Sequence, residues 1–591
     1  MAPDRREYQH FIPQFLLRNF AHPYVYRDAG GGGGGGRKRG RKRRYEQNKY
    51  PGSAVVNCLA LSEGGFAADE AAVSRVCGKY DMYTQAAAAA DRRRLETKFG
   101  GLEGKASALY RRIVAAHAAQ RADVGMTRAE KDLLRKFFFL LKFRGGQFYQ
   151  KYHASTAVDD YDDDDRELMA HYMRRKGFTR PIDVWYESLE AIIDVEMDAD
   201  RVWERHLQTS IYFSHAQFFI DEVGSAYMTI CTPESPRSEF ILSENSYNVC
   251  EGPTIRFQDK DTGKYSSSCP RCHEFSPVSP RLMVVMRSQY LPEPTDDSIP
   301  DVGVRMQKQF MRQAFFGPGK SLLEDLPVRK ATCNYQRMSN TRRIYPSGWK
   351  PPYDKNDRFS FPIFRISDHH VRVVNGLLLD HAFHGTSIVF NKEDTFLDTL
   401  EWFLTEPCVV GKNLGGEDQV RQQRYLSDLG KFMGTKGRVV QPIWNLSGEQ
   451  EIAGTEASRV RNLACARLYE QMMAHGQDAL VDRKHYERLG GTAQTWDEDS
   501  EQVSLMLSLW RAVDHHSGYL SGTVRRRNSI LIMDAYKRLP CQRFWLYLKA
   551  VRYTLTTPLQ RWVQYDLASF RRPVNVEAMS QEGPEDILTH G

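Results

Sequence analysis

Several familiar signatures are missing from this chain of 591 residues. Apolar runs reach only five residues, as at Phe137–Leu141, far short of the roughly 18–20 that span a bilayer. No membrane segment is expected, and Met1–His10 is too polar for a signal peptide. The 10 cysteines are too scattered for a disulfide framework, so free thiols in a reducing, intracellular compartment are expected. There is no Walker phosphate loop, Rossmann glycine fingerprint, G-x-S-x-G elbow or kinase signature, which argues against nucleotide-driven chemistry. No fixed-period repeat is visible. A large excess of one charge is missing too. The net charge is +8, from 82 Lys+Arg against 74 Asp+Glu. Seven of those charges fall in Arg37–Arg44, so the remaining 583 residues carry only +1. A near-neutral body argues against an extended nucleic-acid groove, which needs basic residues spread along a face.

What is present is enough apolar residue, 41%, to fold several domains' worth of chain. Seven glycines, Gly30–Gly36, lead into the basic octamer. Such a stretch cannot fix a backbone, so residues 29–48 are expected to be a flexible insertion. A basic run on a flexible leash suits an import receptor, favouring the nucleus over the cytoplasm, or a weak and salt-dependent contact with nucleic acid. The plain alternative is a solvated low-complexity loop.

Helical period begins beyond Gln85. Leu95, Phe99, Leu102, Ala106, Leu109, Ile113 and Ala116 recur at steps of three and four, one stripe of a long helix that carries Glu96 and Glu103 on one side. Thr127 with Glu130 makes a capping box ahead of the apolar run 133–143. The acidic segment Asp159–Asp165 lacks the glycine and closing glutamate of a calcium loop and reads as a solvated connection. Helical pattern resumes over about 183–223. Short β-branched and aromatic runs at Ala226–Cys231, Phe240–Ser243, Leu282–Arg287 and Ser387–Phe390 then predict a small sheet, and the proline-rich segment Gln289–Val302 reads as a loop. Ser367 can cap a helix through Leu379. The expected fold class is α+β, mainly helical with a small antiparallel or mixed sheet. The expected division is a domain over 1–400, a helical C-terminal domain over 401–575 and a disordered tail over 576–591. Ser529, after Arg525–Arg527, reads as a helix N-cap and also has the form of a basophilic kinase site.

His10, Pro13, Leu17 and Phe20 form a His-x-x-Pro-x-x-x-Leu-x-x-Phe pattern that resembles the opening of the uncharacterised bacterial and fungal family DUF4238. Further blocks follow in the family's order. Leu95–Val114 resembles its Glu-bearing helix, Phe240–Asn245 its strand ending in Ser-Asp-Asn-Pro, Phe275–Leu282 its Pro-Leu-Ser-Pro strand entry, and Val371–Leu379, with Asn375, its Asn-containing helix. The likeness covers about residues 8–400. Two departures bear on chemistry: Glu244 stands where the family usually has Asp, and Ser246 where it usually has Pro. The resemblance implies a shared fold and no particular activity.

Two sets of residues carry candidate chemistry. His10, Glu103, Glu244 and Asn245, gathered into one pocket, can hold a hard divalent cation with water or act as an acid–base set, the equipment of a metal-dependent hydrolase such as a nuclease. The structural alternative has His10 tied to a backbone carbonyl, Glu103 paired with an arginine, and Ser243–Asn245 closed as a turn by side-chain bonds. The second set is Cys269-Pro270-Arg271-Cys272-His273 with Cys250 upstream, half or more of a zinc site by spacing, although no second C-x-x-C pair follows. His369, His370, His381 and His384 lack an H-E-x-x-H context and read as surface histidines. The function expected is a non-catalytic intracellular interaction or regulatory role. The alternatives are the metal-dependent hydrolase and a weak nucleic-acid association through Arg37–Arg44.

Overall fold

The computed structural model describes residues 8–25, 49–83, 93–154, 161, 166–199, 201–253, 255–258, 265–268, 271–289, 291–294, 320–334, 337–339, 342–344, 354–406, 408, 410–415, 418–446, 483, 486–500, 502–503, 539–540 and 542–546. The insertion at 29–48, Cys269, Ser529, the 576–591 tail and the acidic segment apart from Tyr161 lie outside the described residues. The protein has an α+β fold. Among the described residues, no helix is long and apolar enough to cross a membrane.

The larger sheet is built on Leu282–Ser288, in which all seven residues are buried. Its first five residues, Leu282–Met286, are a continuous apolar run, the mark of a strand covered on both faces. It pairs antiparallel with His273–Ser279 on one side and Ala226–Pro233 on the other, Val284 opposite Ile230. Cys250–Glu251 extends the sheet beyond His273–Ser279. At the other end, Arg358–Ile366 changes partner part-way along. Its first half pairs antiparallel with Asp123–Thr127, and from Ile363 it runs parallel to Ala226–Pro233. Pro362 sits at the change, where a residue with no N–H to donate disturbs the ladder least.

A second sheet centres on the hairpin Ala54–Ser62 and Gly65–Ala72, closed by the two-residue loop Glu63–Gly64, with Ser387–Phe390 pairing to its first strand and Leu242–Ser243 pairing to Ser387–Phe390.

The helices follow their sequence stripes. Arg94–Ala118 buries all seven expected apolar residues together with Tyr110. Thr127 and Glu130 form both bonds of the capping box at the start of Arg128–Phe143. The stretch 183–223 is three helices, Pro181–Asp194, Val202–Ser210 and Phe213–Ser225. Asp198 interrupts it by accepting hydrogen bonds from the Val202 and Trp203 backbone N–H groups at 3.0 and 2.9 Å, a restart signal for the middle helix. Ser367 caps Asp368–Asp380 as expected, accepting from His370 N.

One hydrophobic cluster joins both sheets to the helices Asp368–Asp380, Glu393–Thr405 and Gln419–Thr435, from Leu59 through Val285, Leu378 and Ile388 to Leu400, Leu429 and Met433. Residue 400, the expected domain boundary, is itself fully buried in that cluster. By internal contacts the chain divides into a compact unit of residues 1–258, 263–300 and 312–453 and a second of 259–262, 301–311 and 454–591. In the second unit, residues 493–500 are helical, and Tyr486 meets Trp496 edge-on at 5.1 Å and donates to Thr495 Oγ1 at 2.8 Å.

Candidate functional site

The strand Tyr8–His10 pairs antiparallel with Gly78–Tyr80, His10 opposite Gly78. That approach needs glycine: a Cβ on Gly78 would lie 2.6 Å from both Gln9 O and the Tyr8 ring. The Pro13 turn and the short helix Gln14–Leu17 then fold the chain back over the long helix. Between this segment and one face of Arg94–Ala118 lies a cleft of about 520 Å³. The helix contributes Glu96, Phe99, Gly100, Glu103, Gly104 and Ser107, spaced as one stripe, and Tyr8, Gln9, His10, Gln14, Phe15, Tyr83 and Arg144 complete the lining.

Arg144 organises the cleft. It follows the last residue of Arg128–Phe143, is 1% exposed, and donates from Nε to Phe11 O at 3.0 Å. Its Nη1 meets Glu103 Oε1 at 2.7 Å, and its guanidinium lies 4.6 Å from the Phe99 ring centroid. Gln9, 2% exposed, accepts at Oε1 from Tyr83 N at 2.6 Å and donates from Nε2 to Glu96 Oε2 at 2.8 Å. His10 Nε2 lies 3.2 Å from Val73 O. Because a carbonyl only accepts, Nε2 carries the proton and Nδ1 the lone pair. Burial pushes the His10 pKa below its ordinary value, and Arg144 adds to the effect against the opposing pull of the Val73 bond and Glu103. The ring is therefore neutral at physiological pH.

Glu244 and Asn245 are not among the cleft-lining residues. Glu244 accepts from Thr386 N at 2.9 Å, Thr386 Oγ1 at 2.5 Å and Ser387 Oγ at 3.0 Å, tying the end of one strand to the start of its neighbour. Asn245 Nδ2 reaches His381 O at 3.4 Å, and Ser243 N donates to Ser246 Oγ at 2.7 Å. Of the four expected pocket residues, the structure thus brings together His10 and Glu103. His10 and Glu103 have the partners the structural alternative names, a backbone carbonyl and an arginine, whereas Glu244 and Asn245 bond the distant residues Thr386, Ser387 and His381 rather than closing a local turn. Among the described residues, no group of three or more His, Cys, Asp and Glu side chains is placed to hold a metal ion.

The zinc pattern meets a similar obstacle at His273, which is completely buried. Its Nδ1 lies 2.7 Å from Glu251 Oε2, and its Nε2 accepts from Arg287 Nη1 at 2.7 Å. Neither ring nitrogen is left for a metal. Burial also raises the Cys272 thiol well above its ordinary pKa, with Glu251 adding to it, which disfavours the thiolate a metal needs. Glu251 further accepts from Leu322 N at 2.7 Å and Ser321 Oγ at 2.8 Å, so the cluster pins a distant segment to the sheet edge. Cys250 is half-buried on the Cys250–Glu251 strand. His381 follows the last residue of Asp368–Asp380 as its cap, and the His384 ring lies 3.9 Å from that of Phe383.

The helix Asp368–Asp380 carries a buried clamp. Asn375, 1% exposed, accepts from Ile241 N at 3.2 Å and donates to Glu239 O at 2.8 Å, clamping the chain just before Leu242–Ser243.

A family model described as "Protein of unknown function (DUF4238)" matches residues 8–394, from Tyr8 in the strand that carries His10 to the first turn of Glu393–Thr405. The chain belongs to the DUF4238 family. The match spans all of the cleft-lining residues, the Asn375 clamp and the His273 cluster. No curated protein and no solved structure matches the chain. Two residues of the DUF4238 cleft, Gln9 and Arg144, escaped the sequence reading. Gln9 lies inside the opening block, where a polar residue between two ring side chains on a short strand is a signal for a buried amide. Arg144 caps the helix that carries the apolar run Phe137–Leu141, where a cation reads as a terminal charge.

Proposed function

We propose that this DUF4238 protein acts by binding rather than by catalysis, in an intracellular interaction or regulatory role, with the cleft beside His10 and Glu103 as its recognition site. The Glu103–Arg144 contact at 2.7 Å carries this reading. A carboxylate held by a buried guanidinium is a poor metal ligand, since its charge is already compensated. The bonds made by His10 and Glu244 favour the same reading. The basic run Arg37–Arg44 supports contact with an import receptor and a nuclear address, with weak, salt-sensitive affinity for nucleic acid as a by-product.

The test is metal content by mass spectrometry on the purified chain, with thermal unfolding in added magnesium, manganese or zinc. The expected result is no stoichiometric metal and an unchanged Tm in wild type and Glu244→Gln alike. A specifically bound ion would stabilise the fold by about 2.7 kcal/mol at a hundredfold excess over Kd. A rise in Tm that Glu244→Gln diminishes would overturn the reading in favour of metal-dependent hydrolysis by His10, Glu103, Glu244 and Asn245.

A further inference from the structure

Away from the cleft, one short stretch departs from the near-neutral balance of the body. From Leu168 to Ile182 the chain carries four cations, Arg174, Arg175, Lys176 and Arg180, and no acid. Arg174, Arg175 and Lys176 form the end of the helix Arg166–Lys176, and all three are exposed. Gly177, at φ +73°, closes that helix, with Phe178 N donating back to Met173 O at 2.9 Å. Thr179 follows, exposed and outside any helix. Arg180 is extended, at φ −132° and ψ 145°, before Pro181 opens the helix Pro181–Asp194. Among the described residues, nothing bonds the Thr179 hydroxyl.

Thr179 thus offers a free hydroxyl on an extended link, with Arg175 and Lys176 four and three residues before it and Arg180 directly after. Protein kinases select acceptors by such charge patterns. Thr97 shows what the structure adds to the pattern. It has Arg93 and Arg94 at the same two offsets, but it lies within Arg94–Ala118 and its Oγ1 donates to Arg93 O at 3.1 Å. An acceptor held in that way must first be unwound from its helix, at the cost of local unfolding. Thr179 carries no such cost.

The surroundings also favour the product. Lys176 and Arg180 are held by Glu187 at 2.7 Å and Asp183 at 2.9 Å, whereas Arg174 and Arg175 have no acidic partner among the described residues. Arg180 takes the N-cap position of Pro181–Asp194 and its side chain makes no cap bond, so the helix start lacks the acceptor that a Ser, Thr or Asp there would supply. A phosphate brings about −1.5 to −2 charges and is stabilised beside arginines and at a helix start. We propose that Thr179 is a phosphorylation site for a basic-directed protein kinase, and that its phosphate fastens the start of Pro181–Asp194. Thr179 Oγ1 attacks the γ-phosphorus of ATP, the bond from that phosphorus to the β-phosphate oxygen breaks, ADP leaves, and the hydroxyl proton passes to the kinase. The cleft plays no part in this.

The experiment incubates the full chain with ATP and a purified protein kinase that selects basic residues around its acceptor, beside a synthetic peptide of residues 171–183. Mass spectrometry maps the phosphate to its residue, and thermal unfolding reads its effect. Thr179 should be modified in the folded chain, and the modification should be lost when Arg175 and Lys176 are both replaced with alanine. These are exposed helical positions where alanine is well tolerated, so that variant is expected to stay folded. Phosphorylated wild type should melt at a higher temperature than untreated wild type, whereas Thr179→Ala treated in the same way should not gain. A peptide that is modified while the chain is not would show that the fold closes the site, and no phosphate on either would remove the recognition pattern itself. Uptake at Thr179 that survives the double replacement would overturn the role of the cations. An unchanged or lowered Tm would overturn the fastening.

Discussion

Arg144, the cap that follows Arg128–Phe143, meets Glu103 of Arg94–Ala118 at 2.7 Å, and this contact is where the N-terminal segment is fastened, because the same guanidinium donates to Phe11 O. Arg144 is buried while Glu103 is partly exposed; removing one partner of a fully buried ion pair costs about 3–5 kcal/mol, an upper bound here, and Arg144 also bonds a backbone carbonyl. Arg144→Ala should therefore lower stability to denaturant by that order. Glu103→Gln, which keeps an amide oxygen for Nη1 to reach, should cost clearly less. Urea unfolding of both variants checks this. Equal losses would mean that the contact is not the fastening.

The elements that were legible in the sequence are those fixed by near neighbours. The stripe from Leu95 to Ala116 and the Thr127–Glu130 box are set by three- and four-residue spacing, and both appear as read. The hairpin Ala54–Ser62 and Gly65–Ala72 went unread because alanine fills much of its second strand, and that residue gives little β signal while favouring helix. Glu103 was legible as a functional candidate, but its partner lies on another helix and was not. Glu244 reads equally well as a ligand or a turn closure until Thr386 and Ser387 are seen beside it. Helical pattern returns near residue 400, and Leu400 packs into a core shared with the sheets, a pairing that the local pattern does not announce. Local order is written locally, whereas pairing across a core is not.

Asn375 provides a sharper test of the fold. Its amide serves both Ile241 N and Glu239 O within the core, so Asn375→Leu keeps the bulk but orphans two backbone groups. Each orphan costs about 1–3 kcal/mol. Chemical denaturation should show a loss within the sum of two such terms, and a near-neutral variant would show that water replaces the amide.

Acid should weaken the protein through its histidines. Burial lowers the pKa of His10, and likewise that of His273, where Arg287 adds to the effect while the Glu251 bond opposes it. A folded-state pKa below the unfolded value near 6.5 means that the unfolded chain binds the proton first. The stability from these groups is present above about pH 6.5 and is lost as the pH falls through the folded values. Asp221 and Asp380 act with the opposite sign, since burial raises their carboxyls from an ordinary value of 3.8. Urea midpoints should thus fall as the pH drops below 6.5, and His10→Asn should flatten part of the slope. A midpoint that holds or rises just below pH 6.5 would contradict this assignment.

The nuclear address is checked in cells. Replacing Arg41, Lys42, Arg43 and Arg44 with alanine removes four of the seven charges in the run. A tagged wild type should concentrate in the nucleus and the variant should not. An unchanged distribution would leave the run as a solvated loop.

The opening block of the family should prove structural before it is anything else. Leu16 and Leu17 are 0% exposed and Phe20 is 1% exposed, and Asn19 Nδ2 donates to Val278 O at 2.8 Å on a strand of the larger sheet. The segment is thus part of the core although it lies at the edge of the sequence. Leu17→Ala should cost about 2–5 kcal/mol and Phe20→Ala about 3–5 kcal/mol, as truncations that leave cavities. Phe15 provides the internal comparison: it is only half-buried, stacks on Phe137 at 5.9 Å, and lines the cleft. Phe15→Ala should therefore cost less stability than Phe20→Ala yet weaken any ligand held in the cleft. Thermal unfolding of the two variants side by side makes the comparison. If Phe15→Ala unfolds the protein as readily as Phe20→Ala, the cleft wall is core rather than a surface that a ligand can use.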